Sequence, residues 1–301
     1  MENKKIGIVF GIIAALIWGS WPVMSKVASI QSLSPLDITA LRFTVSGIIL
    51  LPFLVYKSIG MRVIFLKGTV LAIGAGAPYV MLATYGINLS SSAHFGAIAP
   101  STMLVFSSIG SIFLFKEQLT FARVLGIVFI LLGVLGIGLL SFERINIQII
   151  LGDIMFIGCG ALWASFTLLC KFWKLNAWTA TSMVSVISGV LCIPFTVTVI
   201  QGLPTELILY HGVYQGVFVA IIALYSYSKS VSILGAAKGA LFSSLVPPIS
   251  LILGVIILGE SMHNNEIMGA VLICIGMLLA LGIYNLKPQF CTKRLTLNKL
   301  K

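Results

Sequence analysis

The chain has 301 residues, 59% of them hydrophobic and 9% charged, and a mean hydropathy of +1.11. A soluble domain carries roughly 25% charged residues, so this composition excludes a soluble globular fold, a disordered chain, collagen and a coiled coil, and leaves an all-α polytopic membrane protein. Nineteen Lys and Arg stand against eight Asp and Glu; scattered in ones and twos between apolar runs, that excess reports membrane orientation and not nucleic-acid binding.

A helix that crosses the hydrocarbon core needs about 20 residues. The first apolar run follows Met-Glu-Asn-Lys-Lys and continues through Trp18 and Trp21 with no A-x-A-like exit. It reads as a retained first span over 6–27, not as a signal peptide. Nine more follow in order, over 36–56, 66–87, 91–115, 121–141, 152–171, 177–199, 210–229, 237–258 and 266–286. The charge-free stretch 68–115 is too long for one helix and divides at Asn88-Leu-Ser-Ser-Ser92. The connections leave no room for a soluble domain. With the N-terminus inside, sixteen of the basic residues fall on cytoplasmic segments, Lys26 and Arg144 fall outside, and Arg42 lies within a span. This predicts both termini in the cytoplasm, with a basic cytoplasmic tail over 287–301, in a cell membrane of the bacterial inner-membrane type.

The chain is written twice. Ala15-Leu-Ile-Trp18-Gly-Ser20 and Lys26 recur as Ala161-Leu-Trp163-Ala-Ser165 and Lys171, and Glu117, Gly126 and Gly133 recur as Glu260, Gly269 and Gly276. The repeats cover 6–141 and 151–286 with five spans each. Five is odd, so the second copy enters from the opposite side: two inverted five-helix repeats. Such halves can exchange conformations around a central site, the basis of alternating access.

Ala15-Leu-Ile-Trp-Gly-Ser-Trp-Pro-Val-Met-Ser-Lys26, Ser34-Pro-Leu-Asp-Ile-Thr-Ala-Leu-Arg-Phe43 and Leu114-Phe-Lys-Glu117 with Gly126 and Gly133 resemble the EamA-type drug/metabolite transporters, across both halves. The resemblance implies a ten-helix exporter or permease of small metabolites, often amino acids, with a central cavity between the halves. It also implies that spans three and eight face that centre. The second half departs from the pattern at Arg42, which has no counterpart in Thr179–Val186.

Candidate substrate-binding residues are Trp18, Tyr79, His94, Trp163, Tyr227, Lys238, Ser243 and Ser244. Lys238, among small residues in Gly235-Ala-Ala-Lys-Gly239, either binds a carboxylate or phosphate or snorkels to the interface. Arg42 is too deep for casual placement; it forms a gating or structural ion pair with an outer acid such as Asp153 or Glu260, contacts substrate, or snorkels to the lipid interface. His94 either carries a proton or bonds cargo, or packs. Trp18 and Trp163, repeat mates near mid-span, line a cavity or pack against neighbours, and the hydroxyls of Tyr79, Tyr225 and Tyr227 need partners inside the bilayer. Pro100 and Pro247-Pro248 kink helices or free carbonyls, with Ser243 and Ser244 close by. Gly235 and Gly239 serve close helix packing. Lys26 is an interfacial anchor, and His211 and His263 are solvated loop ends. The five cysteines are packing residues with no CxxC pair.

No membrane enzyme is expected. Asp37 and Asp153 are the sole aspartates, and neither G-x-S-G, H-E-x-x-H nor a Walker motif occurs; no catalytic residue, metal or cofactor is expected. The acids sit at helix ends, in loops or at the N-terminus, which speaks against a cation/proton antiporter and for facilitated diffusion or exchange, with proton coupling through His94 as the other option. The sequence therefore reads as a secondary transporter of a small polar metabolite, an amino acid or another carboxylate-bearing solute. A channel or a membrane-embedded enzyme is the alternative. The expected partners are a small-molecule substrate and the lipid bilayer, with the chain a monomer or a homodimer.

Overall fold

A computed structural model describes residues 2–57, 59–116, 120–139, 146–234, 241–261 and 264–280, and among them there are helices and no strand. The helices are α1 (Glu2–Ile30), α2 (Pro35–Tyr56), α3 (Met61–Ala75), α4 (Ala77–Leu89), α5 (Ser92–Phe115), α6 (Phe121–Leu139), α7 (Ile147–Phe172) and α8 (Ala177–Gly202). After them come α9 (Thr205–Gly212), a π-helical stretch Val213–Ile222, α10 (Ala223–Leu234), a 3-10 turn Leu241–Leu245, α11 (Val246–Leu258) and α12 (Asn264–Ala280). Seven helical stretches are long and apolar enough to cross a membrane, and three shorter apolar helices accompany them.

Local chemistry sets the helix starts. Ser34 and Asp37 form a capping box ahead of α2, with Pro35 in the first turn, while the Asn146 and Asn176 side chains accept from the free N–H groups that open α7 and α8. Residues 66–87, expected as a single span, lie within one candidate span, Met61–Leu89, whose helix is interrupted at Gly76, where the Ala77 N–H finds the Ser188 hydroxyl at 3.2 Å. Pro247 and Pro248, expected in mid-span, stand in the first turn of α11, where a proline costs no hydrogen bond.

The surface is apolar and the interior carries hydroxyls, the reverse of a soluble protein. Val55 is 70% exposed, Phe113 79% and Ile256 72%, whereas Ser101, Thr102 and Thr84 are buried and donate to carbonyls one turn back at 2.7, 2.7 and 2.8 Å. Hydroxyls satisfied on their own helix can face another helix without water. The chain is a multi-pass membrane protein.

Helices of the first half pack on helices of the second. α6 lies along α12 and α2 along α8; α5 lies along α7 and α1 along α11; α4 and α3 pack on α7, and α1 and α2 on the stretch from Val213 to Leu234. Two crossings require glycine. A methyl on Gly126 would sit 2.5 Å from the Gly276 carbonyl oxygen, and one on Gly133 2.6 Å from that of Gly269. At the α2–α8 crossing, a methyl on Gly189 would meet the Phe43 carbonyl at 2.6 Å, and one on Gly47 the Ser185 carbonyl at 2.9 Å. Backbones approach this closely only where side chains are absent.

Ionisable groups separate by end. Lys67 of α3 lies over the Trp173 ring after α7, and Lys171 of α7 lies over Phe115 of α5, which fixes one basic end. The opposite end gathers Lys26, Asp37, Asp153, Glu206, Glu260 and Glu266. Successive spans alternate in direction, α3 with α4 and α9 with α10 each forming one, so the starts of α2, α5, α7, α9 and α12 share that end.

Candidate functional site

A cavity of about 570 Å³ lies between the halves, lined by α1, α2, α4, α5, α7, α8, the π-helical stretch, α10 and α11. Among the described residues, seven aromatic side chains stand in its walls. Trp18 of α1 meets Tyr227 of α10 at 5.3 Å between ring centroids, and Tyr79 of α4 meets Trp163 of α7 at 4.9 Å. Trp21, one turn beyond Trp18, stacks on Tyr79 at 6.5 Å and meets Phe95 edge-on at 5.1 Å. Phe166, one turn beyond Trp163, completes the wall with Met103 and Cys159. The lining also reaches Thr167 and Ala177, both exposed, near the α7–α8 connection. The cavity therefore communicates with the basic end.

Among the described residues, Arg42 is the basic residue in this wall. It is 7% exposed. Its guanidinium carbon lies 5.3 Å from the Trp21 ring centroid and 5.7 Å from that of Phe43. Its Nε has no hydrogen-bond partner among the described residues, and no described carboxylate stands at ion-pair distance from it. The acids expected to pair with it are engaged elsewhere. Asp153 bonds His94, and Glu260 accepts from the Ser92 and Ala93 N–H groups and the Ser92 hydroxyl at the start of α5. The aromatic faces hold Arg42 in place of an acid.

A buried polar seam flanks the cavity. The Trp21 indole N–H donates to Gln215 Oε1 at 2.7 Å, and Gln215 Nε2 reaches the Ser25 hydroxyl at 3.4 Å. The Tyr214 and Ser20 hydroxyls pair at 2.8 Å. Both Tyr214 and Gln215 come from the π-helical stretch, and such widened turns often occur at functional positions.

Of the residues singled out from sequence, the structure places Trp18, Tyr79, Trp163, Tyr227, Ser243 and Arg42 in the cavity wall. Ser244 is buried but outside that lining, and Tyr225 is turned to the surface, 40% exposed. His94 is also outside it, held instead by Asp153 and Glu266. His211, expected to be solvated, is fully buried and bonds Gln31 through Nε2 at 2.7 Å. Lys26 bonds the Ile87 carbonyl at 2.6 Å, capping α4. Lys238, His263, Glu117, Arg144, Gly235 and Gly239 lie outside the described residues. Sequence reasoning missed Trp21, Phe95 and Phe166, although a signal was present: Trp21 and Phe166 are repeat mates at the same offset as Trp18 and Trp163, one turn further on.

Fold and site together define a helical membrane protein built around a cavity between two packed halves, the architecture of a solute carrier. The chain belongs to the EamA-like transporter family, whose model matches it twice, over residues 5–139 and 150–282. It is 25% identical over 83% of its length to a protein named an uncharacterized transporter from Archaeoglobus fulgidus, covering 89% of that protein. It is 24% identical to the uncharacterized transporter YoaV of Bacillus subtilis over 91% of this chain and 96% of the relative. With YetK of the same organism, also named an uncharacterized transporter, the identity is 23% over 89% and 85%. A solved crystal structure superposes with a TM-score of 0.58 over 91% of this chain and 95% of its own, at 19% identity, a likeness of fold.

Proposed function

We propose that the protein is a secondary transporter of small carboxylate-bearing solutes with an apolar or aromatic body, working by alternating access between two inverted five-helix repeats. The observation that carries this reading is Arg42, a buried cation in the cavity wall with no carboxylate partner among the described residues. An uncompensated buried charge is costly, and a substrate carboxylate that enters the cavity relieves the cost. The guanidinium offers a fork matched to a carboxylate, and the rings of Trp18, Tyr79 and Trp163 offer flat apolar surface to the rest of the molecule.

The inverted repeat is supported by the packing. Pairing each helix with its repeat mate turns the α5–α7 contact into the α1–α11 contact, and it maps the α6–α12 and α2–α8 crossings onto themselves. The glycines obey the same rule: Gly126 meets Gly276 while its repeat mate Gly269 meets Gly133. Ten spans, with both termini and the basic end in the cytoplasm of a bacterial-type cell, follow from the charge asymmetry. In that frame the cavity is open inward.

Counterflow in proteoliposomes tests the function. Vesicles preloaded with phenylacetate should take up labelled phenylacetate, with phenylalanine and lactate competing and choline not. No exchange of any carboxylate, or preferred exchange of choline, would overturn the reading.

A further inference from the structure

Trp21 of α1 is 5% exposed, and four different helical elements meet its ring. Tyr79 of α4 stacks on it at 6.5 Å with 17° between the planes, and Phe95 of α5 meets it edge-on at 5.1 Å. The Arg42 guanidinium of α2 lies over it at 5.3 Å. The indole N–H meets the side chain of Gln215 at 2.7 Å. An indole N–H can only donate, so the atom it meets is the amide oxygen, and the Gln215 NH2 is left for the Ser25 hydroxyl at 3.4 Å. Gln215 and Ser25 are fully buried. A buried indole N–H needs an acceptor, and here Gln215 supplies it.

The stretch that carries Gln215 bears on Arg42 from two sides. Val213–Ile222 belongs to the second of the two matched segments, while Trp21 and Arg42 belong to the first. The next residue, Gly216, brings the stretch against α2: a methyl there would lie 2.5 Å from Val45 Cβ and 3.3 Å from the Arg42 carbonyl oxygen. The preceding residue, Tyr214, pairs with Ser20 of α1 at 2.8 Å. Three consecutive residues thus close on α1 and α2 around one guanidinium. That guanidinium has little else to orient it. Among the described residues its Nε has no hydrogen-bond partner and no carboxylate stands at ion-pair distance. The other ring beside it, Phe43 at 5.7 Å, is its own neighbour in the chain. Trp21 is therefore the platform that holds Arg42 from outside α2. An arginine side chain has much rotamer freedom to lose, and one held in place beforehand binds its partner at lower cost.

We propose that Gln215 is a positioning residue for cargo binding: by holding the Trp21 indole N–H, it fixes the ring that presents the Arg42 guanidinium to a substrate carboxylate. The assignment rests on the transporter reading of the cavity and deepens it. Among the described residues Gln215 is not part of the cavity lining, so it acts through Trp21. Without the amide oxygen the buried N–H is orphaned, which is costly, and the indole gains by turning toward another acceptor. The guanidinium then loses its platform. Arg42 meets the carboxylate and not the body of the cargo, so the loss is the same for every carboxylate. A tie between the halves that served stability alone would instead lower the amount of folded protein or the maximum rate.

Counterflow in proteoliposomes, read as half-saturation and maximum rate for phenylacetate and for lactate, separates these roles. Gln215→Met keeps the length of the side chain and offers no oxygen. It should raise the half-saturation of both solutes by about five-fold, the scale of one hydrogen bond between neutral groups. The factor should be equal for the two, with the maximum rate little changed, the pattern of lost ground-state binding. In a Trp21→Phe background, which has no N–H to hold, Gln215→Met should add nothing, because both changes remove one interaction. Gln215→Asn, one methylene short of the indole, is read the same way where the methionine variant does not fold. A parental half-saturation, a fall in maximum rate alone, unequal factors for the two solutes, or additive losses in the double variant would each overturn the assignment. Exchange that ignores residue 215 overturns this inference alone, whereas no exchange of any carboxylate by the parent overturns the transporter reading beneath it.

Discussion

Arg42 and His94 are equally withdrawn from solvent, each 7% exposed, yet the protein treats them in opposite ways. His94 is surrounded by the chain's own carboxylates. Arg42 is surrounded by rings, with its Nε unanswered among the described residues. A histidine compensated from within holds a conformation together; a guanidinium left open by the protein is a place for something that is not the protein. The difference separates a latch at one end of the molecule from a seat at its centre, and it can be tested by removing each charge in turn.

The largest effect is expected from His94→Gln. Taking one partner from a buried ionic group costs about 3–5 kcal/mol, and here Asp153 would lose the ring nitrogen that its Oδ1 meets at 2.9 Å. Thermal unfolding in detergent should show a marked loss. Arg42→Gln should cost far less stability, since no described carboxylate depends on it. Equal losses in the two variants would erase the distinction.

Binding should reverse that order. Hydrogen bonds to charged groups are worth about 1.5–3 kcal/mol, so Arg42→Gln should weaken carboxylate counterflow roughly ten- to a hundred-fold. Arg42→Lys should keep a part of it, as a point charge without the fork. A parental half-saturation in Arg42→Gln would remove the guanidinium from the site. The aromatic wall comes next in size. Trp163→Leu loses an aromatic contact worth about 0.5–1.5 kcal/mol beyond buried area, which should raise the half-saturation for phenylacetate by up to about ten-fold and leave lactate nearly unchanged. Equal effects on both solutes would mean that the ring shapes the cavity without touching cargo.

Much of this arrangement is legible in the sequence because the bilayer imposes simple rules. Apolar runs of sufficient length locate the helices, and lysines mark one end. The internal repeat points at Trp18 and Trp163 before any contact is known. What the sequence conceals is three-dimensional pairing. The sequence expectation places every acid at a helix end, in a loop or at the N-terminus; α7 begins earlier than expected, at Ile147, which puts Asp153 nearly two turns inside. Nothing in the local pattern around His94 names Asp153 or Glu266, which lie 59 and 172 positions away. The break at Gly76 is answered by Ser188 from another helix, and the π-helical widening that delivers Gln215 to Trp21 leaves no periodic trace. Composition and spacing report on a single helix; these features belong to pairs of helices.

The smallest effect sharpens the picture of the latch. Ser90 donates to the same Asp153 oxygen that bonds His94, at 3.1 Å against 2.9 Å. Both groups act on one acceptor oxygen, so their contributions are linked through it. Ser90→Ala alone should lower stability by about 1 kcal/mol, less than the histidine because a hydroxyl carries no net charge. In an Asp153→Asn background, where the acceptor is a weaker amide oxygen free to reorient, the same serine change should cost close to nothing. The double-mutant cycle then returns a coupling energy near the whole single-variant loss, above the few tenths of a kcal/mol seen for independent sites. Additive losses would mean that Ser90 stabilises the end of α4 by some route other than Asp153, and that the imidazole holds this carboxylate without its help.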